Sequence, residues 1–113
     1  MDWAEFVAQH IPTPATVTVE PVTGGGSRGV TYGPPTPVTP CYVEVANRRV
    51  KVQTQDAAGQ IQVSSTTVWM PPDAVCPVGS YVTVGGRRVR VLSVDRLDAH
   101  GHPIPSHLEV HLE

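Results

Sequence analysis

Charge is what this chain has least of. Charged side chains make up 16% of its 113 residues, against ~25% in an ordinary soluble domain. Eight Lys and Arg face ten Asp and Glu, a formal net charge of -2. Proteins that grip nucleic acid through its phosphates carry a marked basic excess, so broad electrostatic binding is excluded and any DNA contact has to be local or steric. Aromatics are also scarce, with a single Phe. A core must therefore be built from valine and other β-branched residues, which suit a pleated, half-buried surface. No apolar run approaches the ~20 residues of a membrane span, and the N-terminal residues lack the charged-then-apolar order of a secretion signal. A chain made and used in a cytoplasm is the expectation. The two cysteines, Cys41 and Cys76, read as small buried hydrophobes of a reducing compartment. A bridge between them would require Cα atoms within ~7 Å.

Proline and glycine, by contrast, are plentiful, at 12 and 10 residues. They predict a turn-rich single domain over residues 1–113. Residues 2–10 have the pattern of a short helix. Asp2 is a cap with Glu5 at capping-box spacing, and Trp3, Phe6, Val7 and His10 share one face. Pro12 and Pro14 stop it, so residues 1–14 form a helix and linker. A helix this short is not stable alone. Its aromatic face must dock on its own domain or on a neighbouring subunit, which makes Trp3 and Phe6 interface candidates. Ala15-Thr16-Val17-Thr18-Val19-Glu20 alternates as a half-buried strand does.

Residues 21–40 hold most of the irregular composition: Gly24, Gly25, Gly26, Gly29, Gly33-Pro34-Pro35, Pro37 and Pro40. They predict a long, flexible Gly/Pro-rich arm or loop, either solvated or reaching a partner. Cys41 to Val45 and Arg49 to Gln55 alternate again, with a turn at Asn47 and another over 56–59. Ile61 to Met70 is strand-prone, with a break at Ser64-Ser65 that suggests a bulge. Gly85-Gly86 between two alternating runs is a strong hairpin signal, because a two-residue primed turn needs positive φ. Short strands with frequent turns argue for an all-β fold, a small β-barrel or sandwich.

Chemistry-bearing residues do not assemble into a motif. His100, His102, His107 and His111 lie near Asp95 and Asp98, a set that could ligate a metal. His107 and His111, however, share one face of a strand, which reads as its solvent side with Leu108, Val110 and Leu112 inward. No elbow or glycine fingerprint places a nucleophile, and Gly24-Gly25-Gly26-Ser27 lacks the ending of a phosphate loop. No catalytic, cofactor or metal residue is assigned. Arg48, Arg49, Lys51, Arg87, Arg88 and Arg90 fall beside predicted turns. They form either a solvated face that guards sheet edges or a basic rim for an acidic neighbour or passing DNA. Trp69 and Tyr81 are predicted core or interface anchors.

Several pieces in order resemble the head-to-tail stopper (head-completion, connector) proteins of long-tailed phages, especially those infecting actinobacteria. They are Tyr32-Gly33-Pro34-Pro35, Val63-Ser64-Ser65-Thr66-Thr67-Val68-Trp69, Cys76-Pro77-Val78-Gly79-Ser80, Val82-Thr83-Val84-Gly85-Gly86-Arg87, Val91-Leu92-Ser93-Val94, and Pro105 through Glu113. They cover about two-thirds of the chain. The resemblance implies a small β-barrel without an active site. It would be assembled in the host cytoplasm into a homo-oligomeric ring, a hexamer by the family's habit, at the head-tail joint of the virion. Its partners would be the portal and its adaptor on one side and the tail terminator on the other, with packaged double-stranded DNA held at the channel. On that reading Gly24, Gly25, Gly26, Arg28 and Tyr32 belong to a channel-facing or neighbour-clasping arm, and Arg48, Arg49, Arg87 and Arg88 to a subunit rim. The alternative is a small SH3-like or OB-like barrel that binds nucleic acid or peptide as a monomer.

Overall fold

A computed structural model describes residues 2–26, 29–54, 58–97 and 105–113. The fold is all-β with one short helix. Helix α1 (Trp3–His10) precedes eight strands: β1 (Ala15–Glu20), β2 (Val22–Gly26), β3 (Gly29–Tyr32), β4 (Thr36–Lys51), β5 (Ile61–Met70), β6 (Tyr81–Val84), β7 (Arg87–Leu97) and β8 (His107–Leu112). Six of them close on themselves, in the order β1-β4-β5-β8-β7-β6 and back to β1. The other two, β2 and β3, pair only with each other.

The long strands β4 and β7 each change partner along their length. The start of β4 pairs with β1, as far as Cys41 opposite Ala15, and from Tyr42 onward it pairs with β5. Strand β7 pairs with β6 up to Arg90, then with β8 from Val91. Register slips between Val45 and Arg48 and between Val91 and Ser93 mark bulges, the usual device for turning a strand around a corner. The slip in β7 leaves the Leu92 carbonyl free of its ladder, and it accepts from the Gln53 amide at 2.9 Å. The end of β4 is thereby folded back over β7.

The core lies inside the closed sheet and is largely valine: Val17, Val19, Val68, Val82, Val91 and Val110, with Met70 and Leu112. Cys41 and Cys76 belong to the same cluster as free thiols. Burial pushes both thiols up to about 12, with the neighbouring Cys41 adding to the shift at Cys76. The β6–β7 connection is the two-residue turn expected, with Gly85 at φ 56° and Gly86 at φ 82°. Asp2 caps α1 by accepting from the Glu5 amide at 2.8 Å.

Four expectations are corrected. Residues 21–40 are not an irregular loop: among the described residues there, only Pro21 and residues 33–35 lie outside strands. Pro37 and Pro40 fit into β4 because this stretch is paired only on its β1 side, and a residue without an N–H is tolerated at an open edge. No turn occurs at Asn47, where β4 runs on through its bulge. The irregularity seen at Ser64-Ser65 is real, but the extra residue sits on β4 opposite them rather than in β5. Finally, His107 and His111 do not face solvent; they are 9% and 6% exposed. A helix covers the first and the folded-back end of β4 overlies the second, so β8 is enclosed on both faces. The predicted turn residues Asp56 and Ala57 lie outside the described residues, as do Arg28, Asp98, His100 and His102.

Candidate functional site

Three surfaces gather the residues singled out by sequence. The first is the β2–β3 hairpin, which stands apart from the closed sheet as an arm. Gly24 pairs with Thr31, Gly25 with Val30 and Gly26 with Gly29. The strands are tied across by the Thr23 and Thr31 hydroxyls at 3.0 Å. A two-stranded ribbon has little stability of its own, so its root decides whether it holds a direction. That root is built. The Gly33 amide donates to the Pro21 carbonyl at 2.7 Å, and the Val22 amide donates to the hydroxyl of fully buried Ser80 at 2.9 Å. A Cβ at Gly33 would come within 3.2 Å of the Pro21 ring. Tyr32 meets Tyr81 edge-on at 5.3 Å. The Arg88 guanidinium lies 3.7 Å from the Tyr81 ring centre and grips both carboxylate oxygens of Glu20 at 2.9 and 3.1 Å. That hydrogen bonding holds the Glu20 carboxyl below its usual pKa. Tyr32 and Arg88 thus come together from distant parts of the sequence. Arg87 sits beside Arg88 at the Gly85-Gly86 turn.

The second surface is an aromatic groove of about 520 Å³ between α1 and the β4–β5 face. Trp3 stacks on Phe6 at 5.8 Å and on His107 at 5.5 Å, and Phe6 meets His10 at 4.9 Å. The Trp3 indole N–H donates to the Pro40 carbonyl at 2.7 Å. Trp3 is only 5% exposed, so of the two docking places the sequence left open, its own domain or a neighbouring subunit, this side chain takes the first. It anchors the helix to the chain's own sheet and leaves Phe6 at the surface. His107 Nδ1 lies 2.8 Å from the Pro105 carbonyl, so that nitrogen carries a proton and donates. On the strand side, Tyr42 and Trp69 are cross-strand partners with rings 5.2 Å apart. Tyr42, 41% exposed, was not singled out by sequence. Its pairing with Trp69 could have been found only from the β4–β5 register.

The third surface is a polar cleft of about 560 Å³ under the far end of β4, lined by Arg48, Arg49, Lys51, Gln53, Asp95 and His111. Arg48 is already tied to Glu44, which raises its pKa, and its guanidinium lies 6.0 Å from the Trp69 ring centre. His111 bonds to the Thr67 hydroxyl through Nδ1 at 3.2 Å. Its Nε2 lies 3.4 Å from Glu109 and 3.6 Å from Asp95. No set of three His, Cys, Asp or Glu among the described residues is placed to hold a metal.

Arg48 and Arg49 therefore belong to the cleft, on the half of the sheet where β4 pairs with β5, and Arg87 and Arg88 to the half where β7 pairs with β6. They do not merge into one basic rim but stay on two separate parts of the sheet. One member of each pair is neutralised by a carboxylate, Glu44 or Glu20. No helix among the described residues is long and apolar enough to cross a membrane. No family model, no curated protein and no solved structure matches this chain.

Proposed function

We propose that this chain is a structural virion protein of the phage neck, a head-to-tail stopper. The closed sheet serves as a small β-barrel, and copies form a homo-oligomeric ring between the portal adaptor and the tail terminator. The ring retains packaged DNA and offers the tail a docking face. The observation that carries this reading is the rooted β2–β3 arm. A glycine-rich ribbon on a compact sheet is poorly suited to chemistry. Held in direction at its base by Glu20, Arg88, Tyr81 and Tyr32, it is well suited to reaching a neighbour or narrowing a channel. The net charge of -2 fits a conduit, because few cations are there to hold sliding DNA.

The test is where the protein ends up. Mass spectrometry of purified tailed particles, with gold-labelled antibody against this chain, should find it at the head-tail joint. Particles made without it should be filled heads that carry no tail and lose DNA. Detection only in the infected cytoplasm, never in particles, would overturn the proposal. A second reading, binding of nucleic acid or peptide by the free monomer, rests on the cleft of Arg48, Arg49 and Lys51. It requires salt-dependent binding that disappears when these residues become alanine.

A further inference from the structure

We propose that the polar cleft under the far end of β4 is a phosphate-binding site. Arg48 and Arg88 each have a carboxylate of their own, Glu44 and Glu20. Arg49 and Lys51 are placed differently. Two residues and roughly 7 Å apart, they share one face of β4, and their cross-strand partners are Val63 and Ile61. Both are exposed and both line the cleft. Like charges this close on a strand face repel, and the neighbouring strand sets apolar side chains where a carboxylate would relieve them. An anion shared between the two removes the repulsion. Phosphate suits the pair, because its oxygens can take a guanidinium through two parallel bonds and an ammonium as a point charge.

The cleft is built rather than a gap between mobile side chains. The Gln53 amide donates to the Leu92 carbonyl at 2.9 Å, which fixes the end of β4 that bears the two cations. The Gln53 side chain accepts from the Val94 amide at 3.1 Å, so its NH2 end carries the donors that remain. Ser93, 3% exposed, lines the floor with a hydroxyl. His111, 6% exposed, closes the β8 side. Its Nε2 lies 3.6 Å from Asp95 and 3.4 Å from Glu109, and its Nδ1 3.2 Å from the Thr67 hydroxyl. The two carboxylates are thus gathered around the histidine on β7 and β8, while the cations stand on β4. The site is polarised, and an anion is drawn to its β4 half.

At about 560 Å³ the cleft has room for a phosphate together with the group that carries it. That phosphate can be free, on a nucleotide, or in a nucleic-acid backbone, and the recognising chemistry is the same in each. The inference rests on the cleft of the second reading above and narrows it to one chemical group. It requires neither a ring nor a particle. It also agrees with the low charge of the chain, since two cations at one spot act locally and do not make a basic surface.

The intact protein is titrated separately with inorganic phosphate, adenosine monophosphate and a short single-stranded oligonucleotide while its amide NMR shifts are followed. Inorganic phosphate and the nucleotide should give saturable shifts centred on Arg49, Lys51, Gln53 and Ser93, with Kd about 1 mM or tighter, weakened by added salt. A chain carrying Arg49→Ala and Lys51→Ala should bind at least about tenfold more weakly. Both side chains are exposed, so this variant keeps its fold, which circular dichroism checks. Arg87→Ala, which removes a cation from the other half of the sheet, should change Kd less than about twofold. No saturation by about 10 mM phosphate, shifts centred elsewhere, or an equal loss from Arg87→Ala overturns the proposal. Phosphate and nucleotide binding without oligonucleotide binding supports the site as one for small phosphates and removes nucleic acid from the second reading. Oligonucleotide binding that survives the double substitution, with no response to phosphate, overturns the site and leaves that reading to another surface.

Discussion

Trp3→Ala should detach α1 while leaving the closed sheet standing. Trp3 and Val7 are the buried residues of this helix, and an isolated helix of eight residues is far too short to persist in water. Burying a Trp removes roughly 150–250 Å² from solvent. Truncation to alanine forfeits about 150 Å² of that, or about 4 kcal/mol at ~25 cal/mol per Å², within the ~3–5 kcal/mol seen for Trp-to-Ala changes in cores. Val7 alone supplies about 2 kcal/mol, too little to offset ~1 kcal/mol or more of backbone entropy per ordered residue. At 1.4 kcal/mol per tenfold, the opening equilibrium of the helix shifts by about a thousandfold. Native-state hydrogen exchange reads this directly. The Phe6 and Ile11 amides, bonded to the Asp2 and Val7 carbonyls at 3.0 and 2.9 Å, should exchange about a thousand times faster, up to the limit of a free peptide. Sheet amides such as that of Val91, bonded to Ser80, should keep their rates. Trp3→Phe retains a ring against His107 and loses only the bond to Pro40, worth about 1 kcal/mol or roughly fivefold. An alanine effect below tenfold, or sheet amides accelerating as much as the helix, would refute the reasoning.

Three further outcomes are expected. Gly86→Val should cost about 1–2 kcal/mol in urea unfolding, because φ 82° is hostile to a β-branched residue even though nothing lies within 4 Å of the new Cβ; Gly85→Asn should be close to neutral. Neither cysteine should react with a thiol reagent at pH 8 until the protein unfolds. Their folded pKa of about 12 stands above the ordinary 9.0, so the folded state binds more protons. Their contribution is intact below pH 9 and falls as pH rises toward 12, by up to about 1.4 kcal/mol per unit for each thiol, which denaturation at a series of alkaline pH values will show. Arg88→Ala should speed exchange of the Val22 and Gly33 amides at the root of the arm. Lowering the pH should likewise reduce the protection of these amides, taken relative to the free-peptide rate at each pH, since the depressed Glu20 pKa gives a contribution present above 4.5 and lost as pH falls through the folded value; protection that stays constant until the whole sheet unfolds in acid would refute it.

What the sequence disclosed and what it hid follow from the period of its side chains. Ala15 to Glu20 alternates cleanly because one face meets the core and the other does not. The Gly85-Gly86 turn and the Asp2 cap were legible because each rests on a local backbone need. The β2–β3 arm was not, since Gly24, Gly25 and Gly26 carry no side chain from which a two-residue period could be read. Strand β4 was cut short by Asn47, where a bulge absorbs one residue without ending the ladder. His107 and His111 were sent outward by their alternation with Leu108, Val110 and Leu112. Two-state alternation cannot register that a remote helix covers one face of β8. The groove was half legible: Phe6, Trp3 and Trp69 stood out as aromatics, but Tyr42 joins them only through pairing across the sheet.

The two strands that change partner also settle how the molecule carries load. Strands β4 and β7 each belong to both halves of the closed sheet, so the halves are joined by continuous peptide backbone and not by side-chain contact alone. Separating them means straightening two covalent braces at once. A pull on the far end of β4 is resisted by its whole ladder in shear, whereas the β2–β3 arm meets that frame only at its root, through the bonds of Val22 to Ser80 and Gly33 to Pro21. The closed sheet is thus braced by continuous backbone in two places, and a force on the arm enters it through a few bonds at one root.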